Sequence, residues 1–326
     1  MRRFSGLIFC LPTLSVAMLY LACGSRTGLL VPEDVAPVDA ANEHVILRDA
    51  APGIDADAGL DAEEEDAFIP PDVTFRDIPP IDLCPDAGAT LIYVLTASNE
   101  LLSFYPPTLA FTPIGTLACP DKMGGSPFSM AVDRRGIAYS IFTDGELFRV
   151  DTASGACEST TFLPQDAFTT FGMGFVANTG DAGETLFVAQ DDFNNLKGNS
   201  SGLASIDVTS YLLTFVGPFA PPIPGPELTG TSDGRLYAFY TNAEGQGSHI
   251  IEVDKTSGVM LHDYPLQVGT PDDAYAFGFW GGDFWVFTGN TDTTVTEFDP
   301  TTSTETTATT FSGIVVGAGV STCAPM

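Results

Sequence analysis

Residues 146–154 read ELFRVDTAS, a short strand pattern followed by a turn, and related patterns occur five times along the chain. The other copies are ELLSFYPPT at 100–108, GLASIDVTS at 202–210, HIIEVDKTS at 249–257 and TVTEFDPTT at 294–302. Apolar and polar residues alternate before each turn, which is typical of a half-buried strand. In four copies an Asp followed by Ser or Thr favours a tight turn. The matching positions 104, 150, 206, 253 and 298 are 46, 56, 47 and 45 residues apart. This spacing predicts a repeated structural unit.

Each copy follows a second strand-like segment, such as LIYV at 91–94 and LFVA at 186–189. Segments rich in small residues precede these, such as FGMGF at 171–175 and AFGFWGG at 276–282. Four short strands in a unit of 45 to 56 residues predict the blade of a β-propeller. Glycines in the first strand of a unit fit strands that crowd around a narrow central channel.

The first unit begins at its second strand, and the segment IVVGAGVSTC at 314–323 supplies the missing one. We therefore expect an all-β fold, a five-bladed β-propeller over residues 89–326 whose first blade is completed by the C-terminal strand. Ring closure of this kind hides two sheet edges that an open array would expose.

Four cysteines remain for disulfides if Cys10 leaves with a leader and Cys23 is acylated. Four thiols allow three connectivities. Cys84 precedes the second strand of the first blade, and Cys323 follows the strand that completes this blade. A Cys84–Cys323 disulfide would therefore secure the join, and Cys119–Cys157 follows by elimination.

The N-terminus has the features of an export signal. Arg2 and Arg3 precede an apolar run from 4 to 22, which ends in LACG at 21–24. This ending resembles the lipobox that directs acylation of a cysteine, here Cys23, although Tyr20 stands where Leu is usual. The resemblance implies a signal peptide at 1–22 and a lipid-anchored protein of the outer membrane or cell surface. The alternatives are an ordinary cleaved signal peptide and a single membrane span.

Residues 23–88 are predicted to be an acidic, disordered tether rich in Ala, Asp and Pro. Between residues 33 and 86 there are 16 acidic residues against Arg48 and Arg76. The alternating aspartates at 55–61 resemble the start of a calcium-binding loop but lack its closing glutamate and flanking helices. Mutual repulsion of the acids favours an extended linker.

The charge of the chain excludes one class of partner. There are 12 Lys plus Arg against 42 Asp plus Glu, a formal net charge of −30, which disfavours nucleic acid. We expect a monomer whose partner is an envelope protein or a glycan, and which meets the membrane through its lipid anchor alone.

Several short sequence segments resemble those of a known group of proteins. TSDGRLY at 231–237 and VDTASG at 150–155 resemble bacterial propellers of the WD-repeat-like and quinoprotein-like superfamilies. FGMGF at 171–175 and VGAGVSTCAP at 316–325 resemble uncharacterised propeller lipoproteins of the bacterial envelope. The resemblance covers the whole of residues 90–326. It implies the fold and the envelope location, and it implies no activity.

Sequence motifs for catalysis are mostly missing. The histidines are His44, His249 and His262, and His44 falls in the tether. The sequence has no nucleophile elbow and no phosphate-binding loop. The sequence identifies no catalytic residue, and calcium is the one cofactor that its acidic loops suit. A non-enzyme is favoured over an enzyme.

The candidate ligand-binding residues lie in loops that join second to third strands, which emerge on one face of a propeller. They are Asn99, Asp144, Asp191, Asp192, Asn242 and Asp292. Loops that join blades add Asp121, Asp166, Glu227, Asp272 and Asp273 on the same face. Such oxygen ligands suit calcium or a polyhydroxylated ligand; alternatively, they are the residues that solvated turns require.

The loop from 190 to 201 is the first candidate, because insertions on one face of a repeat protein often mark its binding side. Two functions follow. The favoured one is a non-catalytic binding or scaffold lipoprotein that recognises a protein or glycan through one propeller face. The alternative is a carboxylate- or calcium-dependent hydrolase of glycans or lactones with its site at the channel mouth.

Overall fold

The computed structural model of the chain describes residue 84 and residues 91–180, 182–191, 198–242, 245, 247–271 and 273–326. The predicted leader, Cys23 and the predicted tether apart from Cys84 lie outside these residues, as does Asp192. Within the described part of the chain, no helix has the length and apolarity needed to cross a membrane.

In the described residues, twenty strands form five antiparallel four-stranded sheets, which confirms the predicted five-bladed propeller. Blade 1 takes its second, third and outer strands from β1 (Ile92–Thr96), β2 (Glu100–Tyr105) and β3 (Ala110–Thr116), with a 3-10 helix at Pro106–Thr108. Blade 2 contains, from the inside outward, β4 (Pro127–Val132), β5 (Ile137–Phe142), β6 (Leu147–Asp151) and β7 (Cys157–Ser159). Blade 3 contains β8 (Thr170–Ala177), β9 (Glu184–Asp191), β10 (Leu203–Ile206) and β11 (Leu213–Gly217). Blade 4 contains β12 (Glu227–Gly230), β13 (Leu236–Thr241), β14 (Ser248–Val253) and β15 (Met260–Leu266). Blade 5 contains β16 (Ala274–Trp280), β17 (Asp283–Gly289), β18 (Thr293–Asp299) and β19 (Thr304–Phe311).

The last strand, β20 (Val315–Val320), is the inner strand of blade 1. It runs antiparallel to β1, with Val320 opposite Ile92 and Ala318 opposite Val94. It also contacts the inner strands of both neighbouring blades, β4 and β16, and thereby closes the ring. The predicted completion of the first blade by the C-terminal strand is confirmed.

Both predicted disulfides are present. Cys84–Cys323, with its Cα atoms 5.6 Å apart, ties the turn after β20 to the chain that precedes β1. Cys119–Cys157, with its Cα atoms 4.9 Å apart, ties the chain after β3 to the outer strand of blade 2. Disulfides persist in oxidising compartments, so both bonds are compatible with an exported protein.

The two faces of the ring are defined by strand direction. We call the face where the inner strands begin and the second strands end the upper face. Because all neighbours are antiparallel, turns from inner to second strands and from third to outer strands lie on the opposite, lower face.

The Asp of the repeated motif forms the turn from the third to the outer strand on the lower face. Asp151 Oδ1 accepts hydrogen bonds from the backbone N–H groups of Ala153 and Ser154, at 2.9 Å each, and from the Ser154 hydroxyl. The Ser154 hydroxyl bond and these backbone bonds hold the pKa of Asp151 below its ordinary value. Asp299 makes the same turn, where the hydroxyls of Thr301 and Thr302 and their backbone N–H groups lower its pKa to about 2.

The inner strands pack backbone against backbone, which explains their glycines. A Cβ atom on Gly172 would lie 2.1 Å from the carbonyl oxygen of Pro226, and one on Gly230 would lie 2.2 Å from that of Phe175. Real Cβ atoms do not approach a carbonyl oxygen so closely. A side chain at either position would therefore force the backbone to move. Glycine is therefore required at these two positions, where one inner strand packs against the next.

Aromatic side chains fill the space between blades. Between blades 1 and 5, the ring of Phe104 lies 5.5 Å from Trp285 and 5.6 Å from Phe287, edge to face. All three side chains are buried. Burial of a large side chain of this kind contributes about 2 kcal/mol to the free energy of unfolding. Aromatic contacts between blades therefore stabilise the ring.

Arg134, in the turn between β4 and β5, links three blades on the lower face. Its backbone N–H donates to Glu184 Oε1 of blade 3 at 2.8 Å, and its Nε donates to the Thr322 hydroxyl of blade 1 at 2.7 Å. Thr322 in turn donates to Glu184 Oε2 at 2.8 Å. The cluster lies beside Cys323 and supports the closed blade.

Candidate functional site

A cavity of about 480 Å³ opens at the centre of the upper face. It lies where inner strands begin and second strands end, which is the mouth of the central channel. All five blades contribute, and the lining residues are Ala97, Ser126, Pro127, Phe128, Thr143, Asp191, Glu227, Thr241, Pro271, Asp273, Ala274, Tyr275 and Val316. We call this space the channel-mouth cavity.

Two acidic side chains from neighbouring blades lie deep in this cavity. Asp191 is the last residue of β9 in blade 3, and Glu227 is the first residue of β12 in blade 4. They are 6% and 5% exposed, although acidic residues are rarely so buried unless they are paired. Both side chains therefore combine burial with a position on the wall of the cavity.

Hydrogen bonds fix the carboxyl group of Glu227. The Ser129 hydroxyl on β4 donates to its Oε2 at 2.7 Å, and the backbone N–H of Met173 on β8 also bonds to it. Contacts from the inner strands β4 and β8 therefore fix the side chain of Glu227 on the inner strand β12. Asp191 lies against Gly225, where a Cβ atom would come within 2.1 Å of Asp191 Oδ1. A glycine at 225 thus leaves room for the Asp191 carboxylate.

Burial controls the protonation of these groups. It raises the pKa of Glu227 well above the ordinary 4.5, and the negative charge of Asp191 raises it further, against the opposing hydrogen bond from Ser129. Tyr275, whose hydroxyl donates to the carbonyl oxygen of Gly225 at 2.6 Å, also has its pKa raised by burial and by these two acids. The cavity therefore favours a neutral Glu227 when no positive charge is near.

Replacing Glu227 with glutamine is expected to stabilise the protein at high pH. Because the pKa of Glu227 is raised on folding, its neutral form contributes stability that is fully present below pH 4.5 and is lost as pH rises through the folded pKa. Glutamine stays neutral and keeps an acceptor for Ser129. Each kcal/mol so recovered raises the melting temperature by about 2–4 °C.

Melting curves of wild type and E227Q between pH 4.5 and pH 9 measure this difference. The two proteins should match near pH 4.5 and diverge as the pH rises. Parallel curves across the range would show that ionising Glu227 costs the fold nothing.

The structure places the six candidate residues from the sequence in different environments. Asp191 lines the channel-mouth cavity, and Asp192 lies outside the described residues. The other four lie in or beside upper-face turns, as expected, but do not line the cavity: Asn99, Asp144, Asn242 and Asp292.

These four residues show mostly structural contacts. Asn99 adopts a positive φ of 66°, and its carbonyl oxygen accepts the N–H of Leu117. Asp144 accepts the N–H groups of Gly125 and Glu146. The amide of Asn242 meets the ring of His249 at 3.2 Å. The alternative interpretation, that turn formation selects such residues, fits Asn99 and Asp144.

A second acidic group lies on the upper face between blades 1 and 2. Asp121, Asp144 and Glu146 each place one carboxylate oxygen within 4.8 Å of the others, which is close enough to hold a metal ion. Backbone N–H groups of Met123, Gly125 and Lys122 already bond these three carboxylates, at 2.9 Å each. The bonds from the loop account for the cluster. Calcium was considered for the oxygen ligands of the upper face as a whole, and this stays a prediction.

Two acids outside the six candidates also line the cavity. Glu227 and Asp273 were expected in blade-joining loops, which add oxygen ligands on this face. Glu227 opens an inner strand and points its carboxyl group toward Ser129 of a blade two positions away. An acid at the first position of an inner strand, before Leu228, Thr229 and Gly230, is the signal that could have identified it.

Comparisons with known proteins give no family for this chain. No protein-family model matches the chain, and a search of curated proteins finds no significant match. Among solved structures, hydrazine synthase of Kuenenia stuttgartiensis aligns with a TM-score of 0.39 and 13% identity over 64% of this chain and 62% of that one. The propeller of Dos1 aligns with a TM-score of 0.37 and 12% identity over 64% of this chain and 52% of that one.

The exo-β-1,3-galactanase 1,3Gal43A from Clostridium thermocellum aligns with a TM-score of 0.41 and 11% identity over 68% of this chain and 52% of that one. The chain spans less than two thirds of the length of each of these proteins. Likenesses this distant carry no argument about function, which has to come from the site itself.

Proposed function

We propose that this protein is a non-catalytic binding protein of the bacterial envelope that holds a small glycan in the channel-mouth cavity. The observation that carries the proposal is a ligand-sized space that two buried acids of neighbouring blades line. Binding sites for small molecules are concave spaces of about 300–1,000 Å³ with a few well-placed polar groups. The cavity of about 480 Å³ falls in this range.

The chemistry of the lining suits a polyhydroxylated ligand. Thr143 and Thr241 supply hydroxyl groups, and Asp191 and Glu227 supply carboxyl oxygens that accept hydrogen bonds from sugar hydroxyls. Phe128 adds an aromatic ring. Such a mixture of apolar surface and oriented polar groups favours a sugar over a flat apolar ligand.

Substituting Ala97 with phenylalanine is expected to abolish glycan binding without harming the fold. Ala97 is exposed at the rim of the channel-mouth cavity, so a large ring there occupies the space of the ligand. Ala153 is likewise exposed, in a lower-face turn, and A153F serves as the matched control. We expect a glycan array probed with the full protein to show binding by wild type and A153F, and at least a tenfold loss with A97F.

Equal binding by A97F and wild type would place the ligand elsewhere on the propeller. If the protein bound no glycan on the array, the proposal of a glycan ligand would be wrong.

A second candidate, hydrolysis of the bound glycan, is favoured by one observation. The two buried carboxyl groups share one cavity but differ in environment, and Glu227 has the raised pKa that a general acid requires. In that case Asp191 would serve as the base or nucleophile. Incubating the bound glycans with wild type and D191N, followed by mass spectrometry, separates the candidates, because only hydrolysis yields shorter products that D191N abolishes.

The envelope location is part of the same proposal. The disulfides support an oxidising compartment, and acylation of Cys23 would anchor the propeller through a lipid. The mass of a tryptic peptide that contains Cys23, measured with and without lipid release, tests the anchor. An unmodified Cys23 in the mature protein would leave an exported propeller without a lipid anchor.

A further inference from the structure

We infer that the channel-mouth cavity receives the end of a glycan chain and does not admit the middle of one. The inference rests on the proposed function and deepens it, because it states which part of a glycan the cavity takes. Two features of the ring carry it: the interior is closed beneath the cavity, and all five blades form the cavity wall.

Two hydrogen bonds cross the interior of the ring and join blades that are not neighbours. The Ser129 hydroxyl of blade 2 donates to Oε2 of Glu227 in blade 4 at 2.7 Å. At the lower face, the Thr322 hydroxyl that follows β20 of blade 1 donates to Oε2 of Glu184 in blade 3 at 2.8 Å. Blade 3 separates the first pair of blades and blade 2 the second, so each bond spans the inside of the ring. Ser129 is fully buried, so the first bond lies at the floor of the cavity.

The inner strands are also close together across the ring. β20 of blade 1 has Cα atoms within 8 Å of β8 and β12, which belong to blades 3 and 4 on the opposite side. Glycines within these strands have no side chain to cover their backbone, yet Gly174, Gly230 and Gly317 are buried. In the part of the chain that the structure describes, the channel-mouth cavity is therefore a pit that opens on the upper face, and it does not continue as a passage through the ring.

The wall of this pit encircles its opening, because every blade contributes to it. Blades 1 to 5 supply, among others, Ala97, Thr143, Asp191, Thr241 and Tyr275 in that order. A chain that binds through an internal unit needs a groove with two exits, since the units on both sides of the bound one must leave. A pit with an encircling wall has one exit. It therefore suits a chain end whose remaining units extend into solvent.

The size and depth of the pit also fit a chain end. Its volume of about 480 Å³ is toward the lower end of the range for small-molecule sites, which corresponds to about one or two sugar units. Ala97 at the rim is exposed, whereas Asp191 and Glu227 are 6% and 5% exposed. A terminal unit would reach these two side chains, and the units that follow it would contact only the rim.

The chemistry of a terminal sugar matches the lining. A terminal unit keeps a hydroxyl group at the position where an internal unit is linked to its neighbour, and this hydroxyl can donate a hydrogen bond. Blade 4 offers acceptor oxygens on Glu227 and Thr241. Blade 1 offers the apolar side chains of Ala97 and Val316, which suit the C–H groups of a sugar ring.

Titration calorimetry of the full protein with chains of different length tests the inference. The probes are the disaccharides and hexasaccharides of α-1,4-linked glucose and of β-1,4-linked glucose, N-acetylglucosamine and mannose. In every series that binds, we expect the hexasaccharide to gain no more than about fivefold in affinity over the disaccharide, because further units make no contacts. A97F should weaken both lengths equally, and A153F should weaken neither.

Cyclomaltohexaose adds a second test, because it contains the six units of maltohexaose but has no end. If maltohexaose binds, the cyclic form should bind more than about fivefold less tightly. A larger gain with chain length, or a cyclic form within this limit, would show that internal units bind. Either result would overturn end recognition and leave the glycan ligand standing. If none of these chains binds, the proposed glycan ligand fails and end recognition fails with it.

Discussion

The Gly172→Ala variant is expected to lose much of its stability, because the ring of inner strands cannot close around an added methyl group. The new Cβ atom would lie 2.1 Å from the carbonyl oxygen of Pro226 and 2.6 Å from the Cα atom of Glu227. Both neighbours are backbone atoms of the next blade, so no side chain can rotate away. Overpacking of this kind costs about 3 kcal/mol or more.

Thermal unfolding of G172A against a matched glycine variant measures this effect. Gly115 also lies in a strand, and a Cβ atom there would meet its nearest neighbour, the carbonyl oxygen of Ser154, at 3.8 Å. G115A should melt within a degree or two of wild type, and G172A roughly 6–12 °C lower. Equal melting temperatures would show that blades 3 and 4 can separate at no cost.

Removing the Cys84–Cys323 disulfide is also expected to reduce stability strongly. Its cysteines are 239 residues apart, against 38 for Cys119–Cys157. In the chain-entropy description a longer closed loop restricts the unfolded chain more, which gives about 5 kcal/mol for the first bond and about 4 kcal/mol for the second. The first bond also holds the only blade built from both ends of the propeller.

The C84S/C323S double variant should therefore unfold in denaturant at a lower midpoint than the C119S/C157S double variant, and both below wild type. Comparing double variants leaves no unpaired thiol to form new bonds. A larger loss in C119S/C157S would mean that strand pairing between β20 and β1 secures the ring without its disulfide.

The sequence predicts the blades well because each blade repeats a local pattern. The Asp-containing turn after the third strand occurs in four blades, and its hydrogen bonds lie within a few residues of Asp151 or Asp299. Hydrogen bonds between residues this close in sequence can be predicted from the sequence alone. Closure by β20 was also predictable, since the first unit lacks an inner strand and the last segment has no unit of its own.

The candidate site was harder to predict because its residues come from different blades and lie far apart in sequence. Asp191 was selected from the length of its loop and does line the cavity, but Asn99, Asp144, Asn242 and Asp292 do not. Glu227 is bonded by Ser129, which is 98 residues away in sequence. The register of inner strands across blades decides this contact, and spacing along one chain does not encode it.

The position of β20 also determines when the ring can form as the chain is made. Residues 92–116 are synthesised early, yet their inner partner follows every other described strand along the chain. A chain that crosses a membrane from its N-terminus would therefore present blades 2 to 5 with their own inner strands while blade 1 still lacks one. Until Val315–Val320 arrives, β1 offers an unpaired edge, which is the kind of surface that chaperones of newly exported proteins must cover.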